Sequence, residues 1–209
     1  PATKMLFFCN PNNPTGTLAE PASVREMLKK IPRRVVVILD EAYLDFADAD
    51  GDASFKLLEE FPNLVICRTF SKIFALAGLR IGWAAAHPGL LDCLYRVREP
   101  YCVTAVAEAG ACAALDEVER LRRTRTMVIC ERDKLCILLL RLGVKHIPSQ
   151  TNFVMIFPQE RYEPLSAAFI QGGIAVRHLS LRGERVMRIS VGLPQENRQV
   201  ERVLEEIFA

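Results

Sequence analysis

Four short apolar runs, separated by stretches with helical spacing, restrict this chain to a sheet covered by helices. They extend from Met5 to Cys9, from Val35 to Leu39, from Leu64 to Cys67 and from Ile81 to Ala86. Uninterrupted runs of this length suit strands buried on both faces, as in an α/β sheet. The polar residues Asn13, Asp40, Thr69 and Ser71 lie just after the C-terminal ends of the first three runs. Ligands bind at that edge of open α/β sheets, so a site is expected there.

The intervening pattern reads as helices. Val24, Met27 and Leu28 share one face of a helix from Ala19 to Lys30, which Pro32 stops. Pro88 opens a helix carrying Leu90, Leu91, Leu94 and Val97. An alanine-rich helix follows from Val103 to Leu115, then a long one from Asp116 to Leu142, ended by Gly143. The last third changes character. Short strands are expected from Asn152 to Phe157, Ala175 to Arg177 and Val186 to Val191, with a helix ending near Gly172-Gly173. Val200, Val203, Leu204 and Ile207 form a one-sided stripe behind Pro194. Two domains are expected: residues 1–116, with a mainly parallel sheet, and 117–209, a small α+β domain.

Charge excludes some functions. With 27 basic and 25 acidic residues the net charge is +2, which implies neither a nucleic-acid nor a membrane partner. Arg120, Arg122, Arg123 and Arg125 cluster, but no aromatics interleave them for base stacking, so a solvated helix face is expected. Seven cysteines, an odd number without a Cys-x-x-Cys and mostly within apolar runs, read as small buried side chains in a reducing compartment. His87, His146 and His178 are not grouped with them, so no metal site is expected. No run of eighteen apolar residues occurs and no leader precedes the first strand, which gives a cytoplasmic expectation. The chain opens Pro1-Ala2-Thr3-Lys4 without methionine, as expected of the later part of a longer protein.

The chemistry concentrates in Thr69-Phe70-Ser71-Lys72 and Ala77-Gly78-Leu79-Arg80-Ile81-Gly82. An amine, two hydroxyls just before it and a guanidinium beyond a glycine are what a covalently held, phosphorylated aldehyde requires. Gly78 and Gly82 would let the backbone approach closely or turn sharply. Asp40 ends a buried strand and needs a partner; a helix N-cap and a cationic ring nitrogen are equally good readings of it alone. Asn12-Asn13-Pro14-Thr15-Gly16 reads as a turn that could aim the Asn13 amide. Arg188 interrupts an apolar strand and should face a partner or a cleft. Arg177 reads equally well as an exposed strand-edge residue.

The ordered set Asn13, Asp40, Tyr43, Ser71, Lys72 and Arg80 resembles the pyridoxal-phosphate-dependent aminotransferases of fold type I, most closely the histidinol-phosphate branch. The likeness covers essentially the whole chain but only the later part of the family's. It implies pyridoxal 5'-phosphate as cofactor. Lys72 would bind its aldehyde and act as catalytic acid–base, and Asp40 would face the ring nitrogen. Tyr43 and Asn13 would face the ring oxygen, and Thr69, Ser71 and Arg80 the phosphate. Arg188 would bind the substrate's acidic group and Arg177 its phosphate. The resemblance also implies an amino donor and a 2-oxo acid as substrates, a role in histidine biosynthesis, a homodimer, and no activity from these 209 residues alone. One departure concerns the donor. Where that branch carries Pro-aromatic-Asn-Val-Asn, this chain reads Pro100-Tyr101-Cys102-Val103-Thr104. An aromatic amino-acid aminotransferase and a threonine-phosphate decarboxylase share much of the pattern. A non-catalytic, aminotransferase-like effector-binding domain of a transcription regulator is the reading from a different class.

Overall fold

The computed structural model describes residues 2–209, which form two compact units: residues 2–12 with Leu18–Arg123, and Asn13–Thr17 with Thr124–Ala209. The chain passes from one unit to the other inside a long helix, between Arg123 and Thr124.

The first unit is built on a four-stranded sheet. Strands β1 (Met5–Cys9), β2 (Val36–Asp40) and β3 (Leu64–Thr69) run parallel, and β4 (Gly82–Ala86) pairs antiparallel with β3. Helix α1 (Pro21–Lys30) starts on Pro21, whose missing N–H costs nothing in a first turn. It ends with Lys29 and Lys30, which suit the negative end of the helix dipole. Its Val24 and Leu28 pack with Val37, Leu39, Leu64 and Ile66, and with Leu57 from the short α2 (Lys56–Glu60). Each fully buried side chain of this kind stabilises the fold by about 1.5–3 kcal/mol. Burial on both faces, expected from the apolar runs, does not hold for β1. The helices pack on one face, while Met5 and Phe7 on the other remain largely exposed.

Helices α3 (Pro88–Val97), α4 (Ala105–Asp116) and α5 (Val118–Arg141) follow. Thr104 caps α4, its hydroxyl accepting the Ala107 N–H at 3.1 Å. The arginine cluster is a solvated face of α5, with Arg122 and Arg123 paired to Glu119.

The second unit has an antiparallel sheet in the order β5-β6-β8-β7: β5 (Lys145–Ile147), β6 (Phe153–Phe157), β7 (Arg177–Leu181) and β8 (Glu184–Ser190). Val154, Ile156, Met187 and Ile189 face a core completed by Leu135 and Leu139 of α5, Leu165 and Phe169 of α6 (Tyr162–Gln171), and Val200 and Leu204 of α7 (Pro194–Phe208). The opposite face carries Met155, Arg177 and Arg188 in one row. Among the described residues, no helix is long and apolar enough to cross a membrane.

Candidate active site

Parallel register sets the first layer of the site. Cys9 pairs with Asp40, and Asp40 with Cys67, so the three side chains stand in a row on one face at the strand ends. Asp40 Oδ1 accepts the Ala42 N–H at 3.0 Å, and Oδ2 accepts the Cys9 thiol at 3.7 Å. The Asp40 carbonyl takes the Asn10 N–H at 2.8 Å. Burial, with the Asp40 charge adding to it, pushes both thiols up, so they remain protonated donors at neutral pH.

The lysine loop leaves β3 at Thr69. Thr69 Oγ1 accepts the Ser71 N–H at 3.0 Å, a local turn that draws the two hydroxyl-bearing residues together. Phe70 N–H reaches the Ile81 carbonyl at 3.1 Å, and Ala75 N–H the Lys72 carbonyl at 2.9 Å, closing the loop on itself. Phe70 and Ile73 are its buried anchors. Lys72 Nζ lies 4.9 Å from the centroid of the buried Tyr43 ring. Arg80 has left-handed backbone (φ 53°) and donates from Nη1 to the Ala77 carbonyl at 2.8 Å. Gly82 is required for contact: a Cβ there would stand 2.6 Å from the Arg68 carbonyl oxygen. At Gly78 nothing lies within 4 Å, so close approach does not explain that glycine.

One cleft is lined by Asp40, Thr69, Ser71, Lys72 and Arg80, with Ile38, Ala42 and Cys67 as its floor and walls. It therefore presents a carboxylate, an amine, two hydroxyls and a guanidinium. Among the described residues there is no cluster able to hold a metal ion.

Sequence reasoning missed a pair behind this cleft. Glu41, 3% exposed, receives Arg68 Nε and Nη2, both at 2.9 Å from Oε2. The Arg68 guanidinium lies against both the Phe55 and Trp83 rings, 4.7 and 5.4 Å from their centroids, and also donates to the Gly51 carbonyl. Burial pushes the Glu41 carboxyl up, outweighing the opposing hydrogen bonds, that of Arg68 included. The pair ties the residue after Asp40 to the residue before Thr69. Adjacent carboxylates at the end of a buried strand were the available signal: alternation sends one to each face, so each needs its own partner.

Asn13, Arg177 and Arg188 belong to the second unit. Arg188 Nη1 donates to Asn13 Oδ1 at 2.6 Å, and its guanidinium lies 4.6 Å from the Phe153 ring centroid. Arg188 Nε is buried without a hydrogen-bond partner among the described residues. Arg177 is its register partner on β7, so two guanidinium stems stand side by side on one face. Like charges so placed repel and favour an anion between or beside them. Gly16 (φ 79°) lets the Asn13–Thr17 segment turn against Ser149, whose side chain a Cβ would strike.

The family model described as aminotransferase class I and II matches residues 1–207. Histidinol-phosphate aminotransferase of Symbiobacterium thermophilum is 38% identical over 203 residues, covering 97% of this chain and 56% of that protein. Aromatic amino acid aminotransferase of Mycobacteroides abscessus is 37% identical over 195 residues, covering 93% of this chain and 55% of that protein. Histidinol-phosphate aminotransferase from Sinorhizobium meliloti, solved in complex with pyridoxal-5'-phosphate, superimposes with a TM-score of 0.88 at 27% identity, covering 98% of this chain and 57% of that one. The chain spans about half the length of the curated relatives it matches.

Proposed function

Because the chain belongs to the class I and II aminotransferase family, we propose that the protein carrying it is a pyridoxal-phosphate-dependent aminotransferase. It moves an amino group from histidinol phosphate to 2-oxoglutarate, in histidine biosynthesis. The observation that carries this reading is the single cleft holding Asp40, Thr69, Ser71, Lys72 and Arg80.

The donor set fits the cofactor group by group. A carboxylate suits a protonated ring nitrogen, an amine suits an aldehyde, and hydroxyls with a guanidinium suit a phosphate. When bound, pyridoxal phosphate supplies the aldehyde that takes up amino groups and a protonated ring that withdraws electrons. Asp40, already holding one donor on each oxygen, keeps its charge fixed in direction for the ring nitrogen. Lys72 Nζ is the amine that would hold the aldehyde and, when free, would carry a proton to and from the substrate α-carbon. Tyr43, packed against Lys72, offers its hydroxyl to the ring oxygen. Asn13 has its carbonyl end engaged by Arg188, which can only donate; this leaves the amide NH2 as the end able to donate, the role the family resemblance gives it toward that oxygen. Thr69, Ser71 and Arg80 hold the phosphate. Arg188 binds the substrate's acidic group, and Arg177 binds the donor's phosphate.

In this reading residues 1–116 are the later part of the large cofactor-binding domain and 117–209 the small domain. The working protein is a cytoplasmic homodimer, in keeping with the free cysteines and the exposed Leu94, Tyr95 and Val97 on α3.

A second donor class is favoured by Pro100–Thr104. The branch's asparagines are replaced there by Cys102 and by Thr104, which caps α4. An aromatic amino-acid donor is therefore the alternative. The test uses full-length protein. Added cofactor should give a visible band reducible by borohydride, which Lys72→Ala loses; its survival in Lys72→Ala defeats the lysine assignment. Steady-state rates over a donor panel then decide the substrate, and a preference for phenylalanine over histidinol phosphate overturns the one named here.

A further inference from the structure

We propose that Cys9 is a positioning residue for Asp40: its thiol holds Oδ2, so that the carboxylate presents a fixed face to the cofactor ring nitrogen. The inference rests on the cofactor reading above and adds to it a residue on a different strand.

The geometry is direct. Cys9 and Asp40 are register partners on β1 and β2, so their side chains leave the sheet on the same face. Asp40 has one protein donor on each oxygen: the Ala42 N–H at 3.0 Å on Oδ1 and the Cys9 S–H at 3.7 Å on Oδ2. A carboxylate rotates about its Cβ–Cγ bond unless both oxygens are engaged. The Ala42 amide alone would leave that rotation open, and the thiol closes it. A thiol suits this place because it donates weakly and carries no charge. It orients the carboxylate without competing for the charge that the ring nitrogen needs. Cys67 flanks Asp40 from the other side, on β3. The two cysteines are two strand spacings apart, about 9–10 Å, too far to form a disulfide. The other charged groups on this cleft are Arg68 of β3 and Lys72 and Arg80 of the following loop.

The experiment uses full-length protein and has two arms. Without cofactor, alkylation of Cys9 by iodoacetamide is followed against pH by peptide mass spectrometry, in wild type and in Asp40→Asn, with the exposed Cys93 as reference thiol. Removing the negative charge beside the thiol moves the Cys9 midpoint to lower pH and leaves Cys93 unchanged. An unmoved Cys9 midpoint overturns the contact. With cofactor, Cys9→Ala weakens pyridoxal phosphate binding by about 3–10-fold, the worth of one ordinary hydrogen bond. Cys9→Ser, which keeps a donor, recovers part of that loss. In the Asp40→Asn background the Cys9→Ala effect disappears. A Cys9→Ser no better than Cys9→Ala, or an undiminished effect in Asp40→Asn, means that the thiol acts through packing and overturns the positioning role. If wild type bound no cofactor while the Cys9 midpoint still moved, the aminotransferase reading would fail and the thiol–carboxylate contact would stand.

Discussion

Arg188 Nη1 and Asn13 Oδ1 meet at 2.6 Å, joining residues 175 apart in the chain within one compact unit. Phe153 supports the guanidinium from below, and its Nε is left buried without a partner among the described residues. An unsatisfied buried donor of this kind is costly, by about 1–3 kcal/mol, until an acceptor arrives. In the reading proposed above, the substrate's acidic group would supply that acceptor.

Arg188→Lys should therefore fail as a conservative change. A lysine keeps the charge but loses the planar fork that contacts Asn13 and stacks on Phe153. The expected result is a KM for the acidic substrate raised about 10–100-fold, with a smaller fall in kcat, since an ion-pair hydrogen bond is worth about 1.5–3 kcal/mol. Steady-state kinetics with the 2-oxo acid varied would check it. Equal KM values in wild type and Arg188→Lys would remove Arg188 from substrate binding.

Glu41 and Arg68 yield a stability prediction with a definite pH sign. Deleting Arg68 leaves a buried carboxylate unpaired, which costs about 3–5 kcal/mol. Burial raises the Glu41 carboxyl in the folded protein. The folded state then binds more protons than the unfolded one just above the unfolded value of about 4.3. The associated stability is complete below that value and is lost as pH rises through the folded pKa. Arg68→Ala should thus be hurt more at pH ~7.5 than at pH ~4.5, and Glu41→Gln should flatten this dependence. Urea unfolding at both pH values measures it; equal losses for Arg68→Ala at the two would show that Glu41 carries no such linkage.

Much of this was legible in the sequence, because buried strands announce themselves as apolar runs and the cleft residues follow directly on their ends. β1, β2, β3 and the helix behind Pro88 were read in that way. What one strand cannot display is its neighbour. Cys9 beside Asp40 and Glu41 beside Arg68 are facts of register and of cross-sheet pairing, which local pattern does not encode. β5 was missed because Lys145-His146-Ile147 is too short and too polar to stand out, and α2 because five residues make barely more than one turn. The expected second burial of β1 failed because an apolar run reports what a strand could bury, and Phe7 is apolar yet exposed.

Gly82 and Gly78 make a controlled comparison on the lysine loop. An added methyl at Gly82 would press on the Arg68 carbonyl, part of the rigid β3 backbone, so Gly82→Ala should destabilise by about 1–3 kcal/mol. At Gly78 the same methyl meets nothing within 4 Å, and Gly78→Ala should stay within about 0.5 kcal/mol of wild type. Thermal unfolding of the two variants under identical conditions decides it. A Gly82→Ala as stable as Gly78→Ala would mean that β3 and β4 separate more easily than their pairing implies.

Thr104 separates a structural role from a substrate role in Pro100–Thr104, where the histidinol-phosphate branch carries asparagine. Its hydroxyl caps α4, so Thr104→Ala should cost about 1 kcal/mol. Asparagine caps a helix at least as well, so Thr104→Asn should leave stability unchanged. Stability would then be silent on whether asparagine matters here, and donor preference would not. If the branch's asparagines serve the donor's phosphate, Cys102→Asn with Thr104→Asn should raise kcat/KM for histidinol phosphate relative to phenylalanine. A gain of about tenfold corresponds to one added hydrogen bond of ~1.4 kcal/mol. An unchanged ratio in a fully stable double variant would mean that donor choice is made elsewhere, and that Pro100–Thr104 serves only to start α4.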